Sequence, residues 1–229
     1  MLDSKQGIEL WETTVNSFFR RNTISTGGRA IWLSSDGPTG AHNGNTFENN
    51  LCYGTNIGVD IDVGNANVFT NNTFVSGIGA SVLNIDSGTG TVFKNNICYQ
   101  RDAGAGGNPM VRIASGSEVS ADIDNNLYYT EAVTKKWILL PNATDTSFAA
   151  WQSTATPIDA NSAYGDPLFT DIDNDDYTLS NSSPAKYETA VEATGPSGDI
   201  NNNARYGGID LGAIQYQRHP TITTGINLV

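Results

Sequence analysis

The sequence is poor in basic residues, cysteine and histidine, and it contains no long apolar run. Its 229 residues include 12 Lys and Arg against 24 Asp and Glu, a formal net charge of −12. Nucleic-acid binders need basic patches to displace counterions, so this balance argues against that class, and against attraction to anionic lipid or acidic glycans. No apolar stretch approaches the roughly 20 residues of a membrane span. Residues 1–7 lack the apolar region of a signal peptide.

The chain does carry a short repeated phrase that ends in an Asn-Asn pair. The copies are Phe47–Asn50, Phe69–Asn72, Phe93–Asn96 and Ile123–Asn126, with a looser first copy at Phe19–Asn22. Their leading residues lie 22 to 30 residues apart along the chain. A period in this range is typical of a solenoid, in which each repeat stacks on the next.

A strand of alternating character accompanies each copy. These strands are Ile8–Leu10, Ile31–Leu33, Val59–Ile61, Leu83–Ile85 and Val111–Ile113. Alternation places the first and third residue of each strand inward and the middle residue outward. The pattern predicts an all-β fold, a right-handed parallel β-helix of about five or six coils with a C-terminal cap containing a short helix. A leucine-rich repeat fits poorly, because its Leu-x-x-Leu-x-Leu run is missing.

Stacked copies predict inward columns of side chains. One column holds the leads Phe47, Phe69, Phe93 and Ile123, and a second holds Ile24, Cys52, Phe74, Cys98 and Tyr128. The last Asn of each phrase is expected at the bend, in left-handed backbone, with its amide bonded to the next coil. Cys52 and Cys98 are two rungs apart, about 10 Å, which exceeds the reach of a disulfide, so both are expected to be buried thiols.

After Tyr129 the repeat decays. We expect coils over residues 1–130, the last coil and the cap over 131–217, and a tail over 218–229. The second segment predicts strands at 137–140 and 176–179, and a short helix over 146–153 with Asp145 as its N-cap. Two irregular stretches, 35–45 and 100–110, are expected to project as loops that wall a binding face.

The C-terminal half carries a family resemblance. Its residues are Trp151-Gln152, Asp159–Ser162, Gly165–Phe169, Ser183–Ala185, Arg205 and Gly208–Ala213. This run resembles the closing segment of secreted bacterial parallel β-helix proteins of the choice-of-anchor type, within the pectate-lyase-like superfamily, and the resemblance extends over residues 7–217. It implies an extracellular, cell-surface or virion location. It implies no single activity, because such proteins include polysaccharide lyases, glycosidases, epimerases, adhesins and phage tailspikes.

The N-terminus departs from that family. Typical members begin with a longer run of coils and a capping helix, whereas here a strand begins at Gly7. An uncapped first coil is an exposed edge that invites pairing. We therefore expect a fragment of a longer protein, or a homo-oligomer that pairs through the N-terminal coil.

Outward positions of the strands form two columns that carry the candidate site. The first column is Glu9, Trp32, Asp60, Asn84 and Arg112, and the second is Trp11, Ser34, Asp62, Asp86 and Ala114. An exposed tryptophan covers the apolar face of a sugar while polar groups bond its hydroxyls, so Trp32, Asp60 and Asn84 are predicted to bind substrate. Asp62 and Asp86 are expected about 5 Å apart on adjacent rungs.

Three interpretations of these carboxylates remain open. Asp62 and Asp86 have the separation of a catalytic pair in a retaining glycosidase. Asp60, Asp62 and Asp86 form a candidate Ca²⁺ site, and the lyases of the resembled family pair such a site with a basic residue, here Arg112, although Arg is a poor base. The third interpretation is an ordinary solvated strand face. The sequence has no Gly-His-Gly or Arg-x-Lys pattern of the pectin-hydrolase type, and His42 and His219 have no evident partner.

The sequence therefore predicts an extracellular module that binds or processes polysaccharide. Whether it is an enzyme stays open; a lyase or a glycoside hydrolase is expected if it is one. The alternative is a structural adhesin or tailspike segment without catalytic activity.

Overall fold

A computed structural model describes residues 6–35, 42–101, 108–117, 120–131, 136–139, 143–155, 158–186, 198–205 and 210–216. The predicted tail, His219 and the centres of both predicted loops lie outside these residues. The strands are β1 (Gln6–Leu10), β2 (Thr14–Val15), β3 (Phe18–Arg20), β4 (Thr23–Ser25), β5 (Arg29–Leu33), β6 (His42–Asn43), β7 (Thr46–Glu48), β8 (Leu51–Ile61), β9 (Val68–Thr70), β10 (Thr73–Ile85), β11 (Val92–Lys94), β12 (Ile97–Gln100), β13 (Val111–Ile113), β14 (Asp122–Asp124), β15 (Leu127–Thr130), β16 (Trp137–Leu139), β17 (Ala143–Asp145), β18 (Ala163–Tyr164), β19 (Phe169–Asp171) and β20 (Asp176–Leu179).

These strands build the predicted parallel β-solenoid. One large sheet runs β1-β5-β8-β10-β12-β15-β18, with β4, β13, β16 and β17 attached, and a second runs β14-β11-β9-β7-β3. The solenoid has about four turns rather than the predicted five or six. Strand β16 adds a parallel rung to β13, but β17 then folds back antiparallel on β16, and only the two-residue β18 continues the parallel stacking, on β15. No helix among the described residues is long and apolar enough to cross a membrane.

The strand register confirms the predicted outward column. Glu9 aligns with Trp32, Trp32 with Asp60, Asp60 with Asn84, and Asn84 with Arg112. All of these pairs are parallel, so residues more than 20 positions apart in the chain become neighbours on adjacent rungs.

Both predicted inward columns are confirmed as well. Phe47 stacks on Phe69 with ring centroids 4.7 Å apart, and the column continues to Phe93 and Ile123. In the second column Phe74 lies between Cys52 and Cys98, which are both free and buried. Burial raises the pKa of both thiols, because the thiolate would lose its hydration. The cysteines therefore act as apolar core residues.

A continuous asparagine ladder runs along the bend. The side-chain amide of Asn50 donates to Asn72 Oδ1 at 2.9 Å, Asn72 donates to Asn96 at 3.1 Å, and Asn96 donates to Asn126 at 3.1 Å. Each of these amides also donates to a backbone carbonyl of the preceding coil. The ladder is as predicted, but the left-handed residue is the first Asn of each pair, for example Asn71 at φ 54°. That turn lets the second Asn point inward.

A short helix closes the C-terminal end of the solenoid. Helix α1 spans Phe148–Ala155, two residues later than predicted, and Ser147 rather than Asp145 caps it, because Ser147 Oγ accepts the Ala150 N–H at 3.2 Å. Trp151 is fully buried against the core. Its indole N–H donates to Asp159 Oδ2 at 2.8 Å.

Asp159 is a fully buried carboxyl at the end of the ladder. It accepts hydrogen bonds from the hydroxyls of Ser162 at 2.6 Å and Tyr128 at 3.0 Å, besides the bond from Trp151. Burial raises its pKa to about 6, even though these bonds act in the opposite direction.

This raised pKa predicts a pH-dependent stability. The folded state holds the proton more tightly than the unfolded chain, so Asp159 adds stability below about pH 4 that is lost as the pH rises to about 6, a change of about 3 kcal/mol. Asp159→Asn should remove this contribution, since an amide does not titrate and the neighbouring hydroxyls can reverse their bonds. Urea titrations from pH 4 to 8 measure it. Equal slopes of unfolding free energy against pH in the two proteins would contradict the assignment.

The rest of the C-terminal segment covers the outward side of the coils beside the Asn-Asn bends. Arg205 donates to Asn49 Oδ1 at 2.7 Å and to the Gly212 carbonyl at 2.9 Å. Buried Asp199 accepts the backbone N–H groups of Asn201 and Asn203. Desolvation lowers the pKa of Arg205 to about 10. Asp199 and Arg205 therefore hold the cap together.

The first coil presents apolar side chains to solvent. Trp11, Val15 and Phe18 are 50%, 47% and 63% exposed. Within the described strands, β1 and β3 each end their sheet. The pairing of this coil with a second copy stays a prediction.

Candidate functional site

The candidate site is an outward surface that we call the acidic face, formed by Trp32, Asp60, Asp62, Asn84, Asp86 and Arg112. Strands β5, β8, β10 and β13 supply these residues, or end just before them, on adjacent rungs. The rigid backbone ladder thus fixes their spacing. The sequence predicted this set, and the structure brings all six together.

The three carboxylates converge. Asp60, Asp62 and Asp86 each offer an oxygen, and these oxygens lie within 4.8 Å of one another, as predicted from the rung spacing. Asp60 is buried, Asp62 is half-buried and Asp86 is exposed. The cluster therefore faces solvent on the side of Asp86.

Each carboxylate is bonded by protein donors, and Asp62 has two from Ser35, whose backbone N–H and hydroxyl both donate to its Oδ2 at 3.4 Å. Arg29 pairs with Asp60 Oδ2, and Arg112 pairs with Asp86 Oδ1. Asp62 Oδ2 accepts the indole N–H of Trp32 at 2.9 Å. Two guanidinium groups against three carboxylates leave this cluster with one net negative charge, well below that of three bare carboxylates.

Sequence reasoning missed Arg29. Strict alternation would turn residue 29 to the same side as Ile31, into the core. The structure breaks that alternation, because Ala30 and Ile31 are both fully buried in the main core. Arg29 is therefore displaced to the outward side, where its guanidinium carbon lies 4.2 Å from the Trp32 ring centroid. A sequence signal for this break was available: the residue just before the strands Ile8–Leu10, Ile31–Leu33 and Val59–Ile61 is small in each case (Gly7, Ala30 and Gly58). Small residues fit where the backbone turns tightly.

Asp60 has a raised pKa. Its burial is the largest cause, because the ionised form loses hydration, and the neighbouring Asp62 and Asp86 charges add to it. The bond and the positive charge of Arg29 act against the shift. Arg29 thus limits the rise in the pKa of Asp60 that burial causes.

The predicted exposure of Trp32 is wrong. Its side chain is only 9% exposed, because Arg29 covers one face of the ring and the indole edge bonds Asp62. The exposed indole on this side of the coils is that of Trp11, which lies outside the acidic face itself. Ser34 N–H donates to the Leu10 carbonyl at 3.1 Å, so Trp11 lies beside Ser34 at the head of the second outward column. The sequence had placed Trp11 in that column without a role.

No protein-family model, curated protein or solved structure matches this chain. The β-solenoid itself is seen directly in the strand pairing.

The oxygen atoms of the acidic face fit the predicted calcium site. Calcium binds oxygen at about 2.3–2.6 Å, so ligand oxygens across one ion lie up to about 5 Å apart, and the three Asp oxygens satisfy that limit. Asn84 Oδ1 adds a buried oxygen that has no hydrogen-bond partner in the described structure. Arg29 and Arg112 act against a cation here, since they already balance two of the charges.

The geometry favours binding over catalysis for Arg112. Its guanidinium is engaged in an ion pair with Asp86, and arginine is a poor general base. The catalytic roles of Asp62, Asp86 and Arg112 stay predictions. The groove expected between the loops at 35–45 and 100–110 falls largely outside the described residues. Three cavities of the described part lie at the C-terminal cap, and none of these three is lined by the acidic face.

Proposed function

We propose that this chain is an extracellular glycan-binding module of the secreted bacterial choice-of-anchor type, and that it binds polysaccharide along the acidic face. The observation that carries the proposal is the exposed Trp11 at the head of a column whose next member, Ser34, is buried, and whose following members, Asp62 and Asp86, are half-buried and exposed. Two rungs, about 10 Å, separate Trp11 from Asp62. A saccharide chain of two or three units spans that distance.

The chemistry of the face suits a polyhydroxylated ligand. The indole of Trp11 offers a flat apolar surface to a sugar ring. Asp62 and Asp86 accept hydrogen bonds from hydroxyls, while Arg112 and Ser35 donate them. The net negative charge of the face, together with the −12 of the chain, selects against uronates and sulfated sugars unless a cation bridges them. We therefore propose a neutral polysaccharide as the ligand, and Ca²⁺ as the bridge if an acidic one binds.

A binding titration tests this proposal. Trp11→Ala should weaken binding to the best polysaccharide of a panel about tenfold or more, and the double variant Asp62→Asn/Asp86→Asn should do the same. Phe18→Ala, which removes an exposed ring from another sheet, should leave the affinity unchanged. Isothermal titration calorimetry with about 1 mM Ca²⁺ or with a chelator measures all four proteins and separates direct from bridged binding.

Two outcomes would overturn the proposal. One is equal affinity in wild type and Trp11→Ala. The other is no binding across the panel, with or without Ca²⁺. If the chain binds no glycan of the panel and sediments as an oligomer, it is instead a structural adhesin or spike segment. The exposed residues of the first coil would then form the contact between copies. Reducing-end and unsaturated-product assays on the polysaccharide that binds decide whether the module also cleaves it.

A further inference from the structure

A cleft lies where the C-terminal hairpin crosses the outward side of the solenoid. Strands β19 and β20, joined by a 3₁₀ turn at Ile172–Asn174, pack over β8, β10 and β12. They leave a cavity of about 350 Å³. The lining residues on which the inference rests are Tyr53, Val75, Arg101, Glu131, Asp175 and Tyr177; we call this site the tyrosine cleft.

The walls of the cleft are aromatic. The rings of Tyr53 and Tyr177 lie with centroids 5.2 Å apart, tilted by 41°, and Val75 adds an apolar floor. Gly54 and Gly77 also line the cavity, on neighbouring rungs. Gly54 has φ +66°, a conformation that disfavours other residues, so no side chain fills this corner. The cavity is therefore open at this corner because the left-handed turn at Gly54 requires a residue without a side chain.

The rim of the cleft offers both donors and acceptors. Arg101 supplies a guanidinium, which also bonds Asp173 at 2.6 Å. Glu131 accepts the Tyr99 hydroxyl, and Asp175 accepts the Tyr177 hydroxyl at 2.9 Å. These bonds hold the side chains in place and leave further donor and acceptor capacity directed along the rim.

We propose that the tyrosine cleft is a second binding site, for one uncharged sugar residue. An aromatic wall beside mixed donors and acceptors matches a sugar ring, whose hydroxyls both donate and accept. Glu131 and Asp175 outnumber Arg101 at the rim, so a uronic acid is repelled. The site goes beyond the glycan site of the acidic face, because Tyr53 and Asp60 lie on different stretches of β8, separated by the left-handed turn at Gly54.

NMR titration of the whole chain with methyl glycosides of neutral hexoses tests this site. The expected result is saturable binding, with a dissociation constant of order 1 mM, that Tyr53→Ala weakens about tenfold and Tyr53→Phe leaves nearly unchanged. Asp62→Asn/Asp86→Asn should not alter it. Glu131→Gln, an exposed rim change, replaces Tyr53→Ala if that variant fails to fold, and should weaken binding about threefold or more.

Three results would overturn the inference: no neutral hexose binds, only an amino or acidic sugar binds, or the cleft variants bind as wild type does. The two sites fail separately. Loss of polysaccharide binding in Trp11→Ala with monosaccharide binding intact supports both sites. Absence of monosaccharide binding alone removes only the tyrosine cleft.

Discussion

Asp159→Ala is expected to lower the free energy of unfolding by about 3–5 kcal/mol at pH 5. The change removes the acceptor of three buried donors, the Trp151 indole N–H and the hydroxyls of Tyr128 and Ser162. Each buried donor left unpaired costs about 1–3 kcal/mol. A small cavity adds to the loss. The C-terminal closure of the core should therefore open first.

Urea unfolding followed by far-ultraviolet circular dichroism measures this loss. Asp173→Ala is the matched control, because its side chain is 80% exposed and makes one surface ion pair with Arg101; it should change the unfolding free energy by less than about 0.5 kcal/mol. A loss at Asp159 no larger than that of the control would show that the carboxyl does not hold the cap.

Asn72→Ala is expected to cost about 3–4 kcal/mol. Asn72 is fully buried in the middle of the ladder, where its amide donates to Phe47 O at 3.0 Å and Asn96 Oδ1 at 3.1 Å. Its Oδ1 accepts both the backbone and the side-chain N–H of Asn50. Alanine removes all four bonds at once and leaves their partners without water.

Asn65→Ala supplies the comparison for the ladder. Asn65 is exposed, yet it also bonds neighbouring coils, accepting the Thr89 N–H at 2.9 Å. Because water replaces the lost bonds there, the cost should stay below about 1 kcal/mol. Urea unfolding at pH 7 measures both variants. Equal losses of unfolding free energy would show that burial does not determine how much these hydrogen bonds stabilise the fold.

Much of the architecture follows from the sequence. The Asn-Asn phrase and the alternating strands predict the columns that contain Phe47, Phe69 and Phe93, and the register of Trp32, Asp60 and Asn84, because each depends on short-range spacing repeated at a fixed period. The coil count was too high, since nothing in the sequence of β17 marks its reversal. The family and the function stay proposals.

The environment of the site followed less directly. Alternation gave the right outward residues, but it failed at Arg29, where two consecutive inward residues shift the backbone. Trp32 was expected to be exposed, yet Arg29 covers it, while Trp11 remains open. The tyrosine cleft had no sequence signal, because the hairpin that forms it comes from a distant part of the chain.

The sequence by itself determined the repeat, the identity of the stacked residues and the ladder, because these depend on the local order of side chains along each coil. Only the tertiary structure decided which outward residues remain accessible and how the solenoid closes. Burial depends on what packs above a residue, and those segments are far away: Asn49 bonds Gly198, 149 positions later. Contacts between segments so far apart produce no repeating pattern in the sequence, so they could not be predicted from it.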